Sequence, residues 1–395
     1  MAVPLHYHLV QSIADALDEI FLDGKYADKV IERCFKNNRK WGARDRKFFA
    51  ETVYEIVRHK RRLEFIGGEG NPWNLIAAYL FQTMNEIPDW EEFDHIKISD
   101  LKSRNSAEKP PEVANSFPDW LHELGKEEFG GDWTKIMNAL NTPAEVFLRT
   151  NTLKTDVDTL IAELGEEEIQ TEKVHNECIK LTRRKNVFAT KVFRKGFFEV
   201  QDAASQMVAP LLDVKPGQRV ADTCAGAGGK SLHLAALMKN KGKIIAMDIH
   251  EWKLKALKVR AARDGVDIIE TKLIESNKTV KRLENTFDRV LLDVPCSGLG
   301  VLRRNPDTKW KLSIAEIERL TLLQKEIISQ YSKICKPGGL MVYATCSILH
   351  RENEEQVKWF LQSEFGKDWS LVREMRVWPH KEKFDGFYAA VLARK

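Results

Sequence analysis

The sequence predicts an α/β protein. A doubly wound, largely parallel sheet fills the C-terminal half, behind a small α/β subdomain and an all-helical N-terminal domain. Three observations carry this prediction. From residue 213 onward, short apolar runs alternate with helical periodicity, the pattern of a parallel sheet built from βαβ units. Before about residue 140, apolar residues recur mainly at helical spacing. One glycine-rich stretch, Arg219-Val-Ala-Asp-Thr-Cys-Ala-Gly-Ala-Gly-Gly-Lys-Ser231, reads as strand, tight turn and helix start. Open α/β sheets use such a turn to present backbone N–H groups to a ligand.

The length of 395 residues accommodates two or three domains, and the changes of pattern place them at 1–140, 141–205 and 206–395. Hydrophobic residues make up 43% and charged residues 30%, as in ordinary soluble proteins. A net charge of +4 is too small for a whole-chain nucleic-acid argument, so only local clustering can make one. The cysteines are Cys34, Cys178, Cys224, Cys296, Cys335 and Cys346, with no C-x-x-C pair. This argues against zinc-ribbon and thioredoxin chemistry, and no metal is expected. No apolar run approaches the roughly 18 residues of a membrane span. Asp15, Asp18 and Glu19 interrupt the first apolar pattern, which argues against a targeting peptide. A cytoplasmic protein without a membrane partner is expected.

In chain order, Leu9, Ile13, Leu17 and Ile20 set a first helix, and Phe48, Phe49, Val53, Ile56 and Val57 a later one. Arg44, Arg46, Arg58, Arg61 and Arg62 cluster around the latter, either as a solvated face or as a phosphate-contacting patch. Trp73–Met84 and Trp120–Phe129 read as further helices. The polar stretch Ser99–Pro111 reads as a linker between them, and Trp90 and Trp133 as core or docking residues. The small subdomain has a strand at 147–153, a helix through Leu160 and Leu164, and strands near Ile169, Val187–Phe188 and 197–200. A helix from Gln201 to Leu212 leads into the glycine turn. Strands then follow at 219–222, 243–248, 267–271, 287–293 and 339–345, with Cys335 in a helix. Strands near Trp378 and at 387–392 pair antiparallel at the sheet edge, because no crossover helix fits between them.

The glycine turn alone leaves three ligand classes open. The dinucleotide pattern G-x-G-x-x-G fails because position 231 is Ser, and the Walker pattern fits residues 224–231 except at Cys224. An S-adenosylmethionine (AdoMet) site needs a looser glycine turn and a carboxylate ending the next strand. Lys243-Ile-Ile-Ala-Met-Asp248 supplies that strand. Two more strands end in cysteine turns, Asp293-Val-Pro-Cys-Ser-Gly298 and Ala344-Thr-Cys-Ser347. Both turns fall on the same sheet edge as the glycine turn, so Cys296, Cys346 and Asp293 should face one ligand. A free cysteine is often only a small buried hydrophobe, and Cys34 and Cys335 are read that way. In polar, partly exposed turns a thiolate becomes a usable nucleophile.

Together these segments resemble the RNA cytosine-5 methyltransferases of the Fmu/Sun (RsmB-like, Nop/Sun) family. The resemblance rests on Phe147-Leu-Arg-Thr-Asn-Thr-Leu-Lys154, Phe198-Glu-Val-Gln-Asp-Ala-Ala-Ser-Gln206, Asp293-Val-Pro-Cys-Ser-Gly-Leu-Gly300, Arg303-Arg-Asn-Pro-Asp307, Tyr343-Ala-Thr-Cys-Ser347 and Asp385-Gly-Phe-Tyr388. The basic helix at 44–58 resembles a NusB-like RNA-binding domain. The resemblance implies a Rossmann-like, AdoMet-dependent methyltransferase acting on RNA, with ribosomal RNA as the expected substrate. Cys346 would be the nucleophile and Cys296 would assist release, although DNA cytosine methyltransferases use the Pro-Cys thiol as nucleophile. Asp293 would hydrogen-bond the cytosine edge, and Lys230 would orient AdoMet or the base. Cys224, Ala225, Gly226, Ala227, Gly228, Gly229 and Lys230 would cradle the methionine part of AdoMet, and Asp248 its ribose. Ala227 stands where the family often has Pro. Many members carry an Asp after the third strand that contacts the adenine. Ungapped counting puts Ile274 there, and the adjacent Glu275 is the expected substitute. Arg303 and Arg304, with the N-terminal arginines, would hold the RNA backbone. A transfer-RNA cytosine-5 methyltransferase, a P-loop nucleotide hydrolase and a non-catalytic RNA-binding scaffold are the competing readings.

Overall fold

The computed structural model describes residues 5–68, 70–275 and 280–395. They form two compact units, Met1–Pro143 with Leu302–Ile314, and Ala144–Val301 with Ala315–Lys395.

The first unit is helical. Helices Tyr7–Phe21, Ala27–Asn37, Ala43–Arg58, Lys60–Gly67 and Pro72–Met84 bury the predicted stripes, including Leu9, Ile13, Leu17, Phe49, Val53 and Ile56. Pro72 opens its helix at the first position, and the Asn71 side chain accepts from the Trp73 and Asn74 amides, a polar cap that satisfies two otherwise orphan donors. The stretch read as a linker is mostly ordered. Ile98–Ser106 is a helix pinned by Leu101, 1% exposed, and Pro111–Ala114 is a short helical turn. One buried leucine per two turns is too sparse a stripe for periodicity to reveal. The segment Leu302–Ile314 was expected in the catalytic domain but packs into this helical unit. Trp310, partly buried, packs against its core and donates from Nε1 to the Val57 carbonyl at 2.7 Å. The buried Lys309 Nζ donates to the Arg58 carbonyl at 2.8 Å and to Asn141 Oδ1 at 2.9 Å.

The second unit holds two sheets. The small one has strands β1 (Phe147–Thr150), β2 (Thr171–His175), β3 (Cys178–Leu181) and β4 (Phe198–Val200), all antiparallel, in the order β2-β3-β1-β4. Val187–Ala189 is a 3-10 turn instead of the expected strand, because the Asn186 side chain accepts from the Phe188 amide and closes the chain on itself. The helix before the glycine turn is shorter than expected. It spans Ala203–Val208 and gives way to a 3-10 turn at Ala209–Leu212 containing Pro210, which has no amide to donate.

The large sheet has strands β5 (Arg219–Asp222), β6 (Lys243–Asp248), β7 (Ile269–Leu273), β8 (Phe287–Asp293), β9 (Cys335–Thr345), β10 (Trp369–Val377) and β11 (Phe387–Arg394). Their order is β10-β11-β9-β8-β5-β6-β7. β5 to β9 run parallel, while β11 pairs antiparallel with both β9 and β10. β9 begins at Cys335, which is therefore in a strand and not in the helix expected for it. β5 lies between β6 and β8, so the chain reverses direction across the sheet there. The crevice beyond the carboxyl ends of these strands is where such folds bind ligands.

Candidate active site

The glycine turn joins β5 to the helix Gly229–Leu237. Gly226 and Gly228 have φ of 55° and 88°, values glycine adopts without strain. A Cβ on Gly228 would lie 2.4 Å from Leu257 Cγ, whereas a Cβ on Gly226 would meet nothing within 4 Å. The turn is thus packed from behind at Gly228 and open at Gly226. Asp248, at the end of β6, locks it by accepting from the Gly226 amide at 2.9 Å and the His250 amide at 2.8 Å. Beneath the turn, the buried Arg149 guanidinium of β1 donates to Gln201 Oε1 and, at 2.7 Å, to the Gly229 carbonyl. Burial holds this guanidinium down to about 10. Glu199 of β4 accepts from Arg260 and Arg263, and Arg260 also donates to the Ala227 carbonyl at 2.7 Å. Polar residues inside the short strands β1 and β4 therefore fasten the small sheet to the ligand turn. Their presence in otherwise apolar strands is the sequence signal for these tethers.

A cleft of about 560 Å³ opens at this edge, lined among others by Gly226, Asp248, Ile274, Asp293 and Pro295. Its fit to AdoMet rests on Asp248, whose spare lone pairs suit ribose hydroxyls, and on the empty space above Gly226. Ile274 lines it, while Glu275 is exposed and is not among the lining residues. Cys224 also lines the cleft, and burial followed by the neighbouring Asp222 charge pushes its thiol up, so it behaves as an inert wall.

Asp293, at the end of β8, accepts from Lys230 Nζ at 2.7 Å, and Lys230 lies 5.2 Å from the Phe387 ring centre. Burial opposes the charge on Lys230, which is 9% exposed, but Asp293 more than offsets it and raises the ammonium. A Walker lysine would point at phosphates, whereas this one is committed to a carboxylate. The two predicted thiols meet, with Cys296 Sγ and Cys346 Sγ 3.4 Å apart. Neither lines the cleft, and Asp293 does. Hydrogen bonding to Cys346 and then burial raise the Cys296 thiol well above its ordinary range. The Gly300 amide donates to the Cys346 carbonyl at 2.9 Å, and the Gly386 amide to the Gly300 carbonyl at 2.8 Å. A Cβ on Gly300 would sit 2.1 Å from the Gly386 oxygen. Both cysteine loops are thus bound to each other and to the Asp385-Gly-Phe-Tyr388 segment.

The basic residues divide. Arg58, 3% exposed, donates to the Leu302 and Arg303 carbonyls at 3.5 and 3.1 Å, and Arg303, 8% exposed, donates to the Pro143 carbonyl at 3.3 Å. Both were expected to hold RNA, but they are interior braces of the helical unit. Arg61 donates to the Phe117 carbonyl and pairs with Asp119. Burial lowers the half-buried Arg62, Arg46 stacks on Phe35, Arg304 is half-buried, and Arg44 is exposed. Among the described residues, no His, Cys, Asp and Glu cluster could hold a metal and no helix is long and apolar enough to cross a membrane.

The fold and this edge define a Rossmann-like methyltransferase with a ferredoxin-like subdomain and a helical N-terminal region. Residues 209–393 match the model of the 16S rRNA methyltransferase RsmB/F family, and residues 117–188 match its ferredoxin-like domain. A probable ribosomal RNA small subunit methyltransferase B from Synechocystis is 31% identical across 93% of this chain and 95% of its own, and one from Bacillus subtilis is 29% identical across 98% and 99%. The crystal structure of PH0851 aligns over 100% of both chains at 27% identity with a TM-score of 0.82. The chain belongs to the RsmB/F family of ribosomal RNA methyltransferases.

Proposed function

We propose that this enzyme methylates carbon 5 of a cytosine in ribosomal RNA, with Cys346 as the nucleophile and AdoMet as the methyl donor. The observation that carries the reading is the 3.4 Å approach of Cys296 and Cys346 beside the Lys230–Asp293 pair. Carbon 5 of cytosine is a weak nucleophile. Addition of the Cys346 thiolate to carbon 6 makes it an enamine carbon, which divides one hard step into two easier ones. Bound AdoMet supplies an electrophilic methyl group, held by the glycine turn and Asp248. Asp293 faces the cytosine edge and favours protonation of ring nitrogen 3, which draws electrons from carbon 6, and Lys230 fixes the orientation of Asp293.

The Cys296 thiol, raised by its hydrogen bond with Cys346 and by burial, lies in hydrogen-bonding contact with the Cys346 sulfur. Once Cys346 is bonded to carbon 6, both its hydrogen bond and its charge are withdrawn from Cys296. Cys296 then loses its proton to water more readily and can accept the carbon 5 proton. The C–H electron pair restores the 5,6 double bond as the carbon–sulfur bond breaks, returning the Cys346 thiolate. The target nucleotide must leave its stack to reach these groups.

Ribosomal RNA incubated with the enzyme and methyl-labelled AdoMet should yield 5-methylcytidine on nucleoside mass spectrometry. Cys346→Ala should abolish the product, and Cys296→Ala should accumulate a protein–RNA adduct on denaturing gels. Label on another base, or on a ribose, would overturn the reading.

A further inference from the structure

The two thiols are carried by a repeated tetrad, Cys296-Ser-Gly-Leu299 and Cys346-Ser-Ile-Leu349. In each, the serine oxygen accepts from the amide two residues on, at 3.4 Å for Leu299 and 3.1 Å for Leu349. Both leucines are fully buried. The serine hydroxyls lie 3.2 Å apart and converge on one carboxyl group, that of Glu352, which is 0% exposed. Ser297 donates to it twice, from the amide at 2.8 Å and from Oγ at 2.5 Å, and Ser347 donates from Oγ. Gln324 adds a donor at 3.0 Å while also donating to the Pro295 carbonyl at 3.0 Å. Glu352 is itself fixed, since its carbonyl accepts from the buried Tyr343 hydroxyl at 2.7 Å.

We infer that Glu352 is a positioning residue for the methyl-transfer reaction. It clamps the residue after each thiol and so sets the distance between Cys296 and Cys346. The inference rests on the proposed division of labour between the two cysteines. A buried carboxyl group that takes donors from both loops couples them more tightly than backbone packing alone, because releasing either loop strands a desolvated acceptor. It touches neither sulfur in the structure, so its effect is on spacing and not on the chemistry itself.

The test uses the full-length enzyme with Glu352→Ala, Glu352→Gln and the double change Ser297→Ala with Ser347→Ala. Thiol spacing is read without any substrate, as the rate at which diamide oxidises Cys296 and Cys346 to a disulfide, mapped by peptide mass spectrometry. Single-turnover methylation, KM for RNA and AdoMet affinity are read in parallel. Glu352→Ala should slow disulfide trapping, and should slow methyl transfer by about a hundredfold, the usual effect of misplacing reacting groups by an ångström. KM and AdoMet affinity should stay near wild type. Glu352→Gln keeps one acceptor oxygen and should recover part of both rates. The serine pair tests the same clamp if Glu352→Ala does not fold. Wild-type trapping in the serine pair or in Glu352→Gln, or AdoMet affinity falling in step with the rate, would overturn the clamp. Slowed trapping with no 5-methylcytidine from the wild type would instead leave the clamp standing and remove the proposed reaction.

Discussion

At the residue scale, two buried groups at the sheet edge have opposite fates. Lys230 keeps its charge because Asp293 sits beside it. Removing Lys230 strands a partly solvated carboxylate, since the Asp293 side chain is 28% exposed. Lys230→Met should therefore lower thermal stability as well as the single-turnover rate, measured by denaturation and quenched flow. Asp222 has no such partner among the described residues. Burial raises its carboxyl group to about 7, only partly countered by the Ser231 hydroxyl at 2.6 Å. Its folded value lies above its unfolded value. The stabilising contribution is therefore complete below the ordinary carboxyl range and lost as pH rises through 7. Asp222→Asn should flatten the stability profile across that interval, as followed by urea denaturation in a pH series. Cys296, Cys346, Asp293, Lys230 and Asp248 were legible in the sequence because each follows or ends an apolar strand. Glu352 was not, because it lies in an ordinary polar stretch and its partners are brought to it only by folding. Arg58 and Arg303 looked like surface cations because charge alone does not reveal which guanidinium will find carbonyls to brace.

At the element scale, the glycine turn and the strands that flank it were readable because turn chemistry and strand alternation act locally. The sequence signal failed where tertiary contacts decide. Leu101 alone turns a polar stretch into a packed helix, and Asn186 closes a 3-10 turn across what reads as a strand. The Gly228 position tests the turn. A side chain there meets both Leu257 and a φ of 88°, a strain of about 1–3 kcal/mol. Gly228→Ala should lower thermal stability more than Gly226→Ala, whose Cβ meets no protein atom, whereas in calorimetry Gly226→Ala should weaken AdoMet binding by entering the space the ligand needs.

At the scale of the whole molecule, the chain leaves the catalytic unit at Val301, completes the core of the helical unit, and returns at Ala315. No sequence pattern marks such an excursion, because Leu302–Ile314 carries no unusual composition. Trp310 makes it measurable. Trp310→Ala should destabilise the helical unit by about 3–5 kcal/mol, seen as faster hydrogen exchange in Ala43–Arg58 with strands β5 to β9 unaffected. The central claim is narrower: one sulfur attacks and the other releases. It is tested most directly by digesting the denatured adduct of the Cys296→Ala enzyme with nuclease and trypsin, then sequencing the modified peptide by mass spectrometry. The account predicts a methylated cytidine nucleotide bonded to Cys346. A nucleotide on any other residue, or a stable complex with no covalent nucleotide at all, would contradict it.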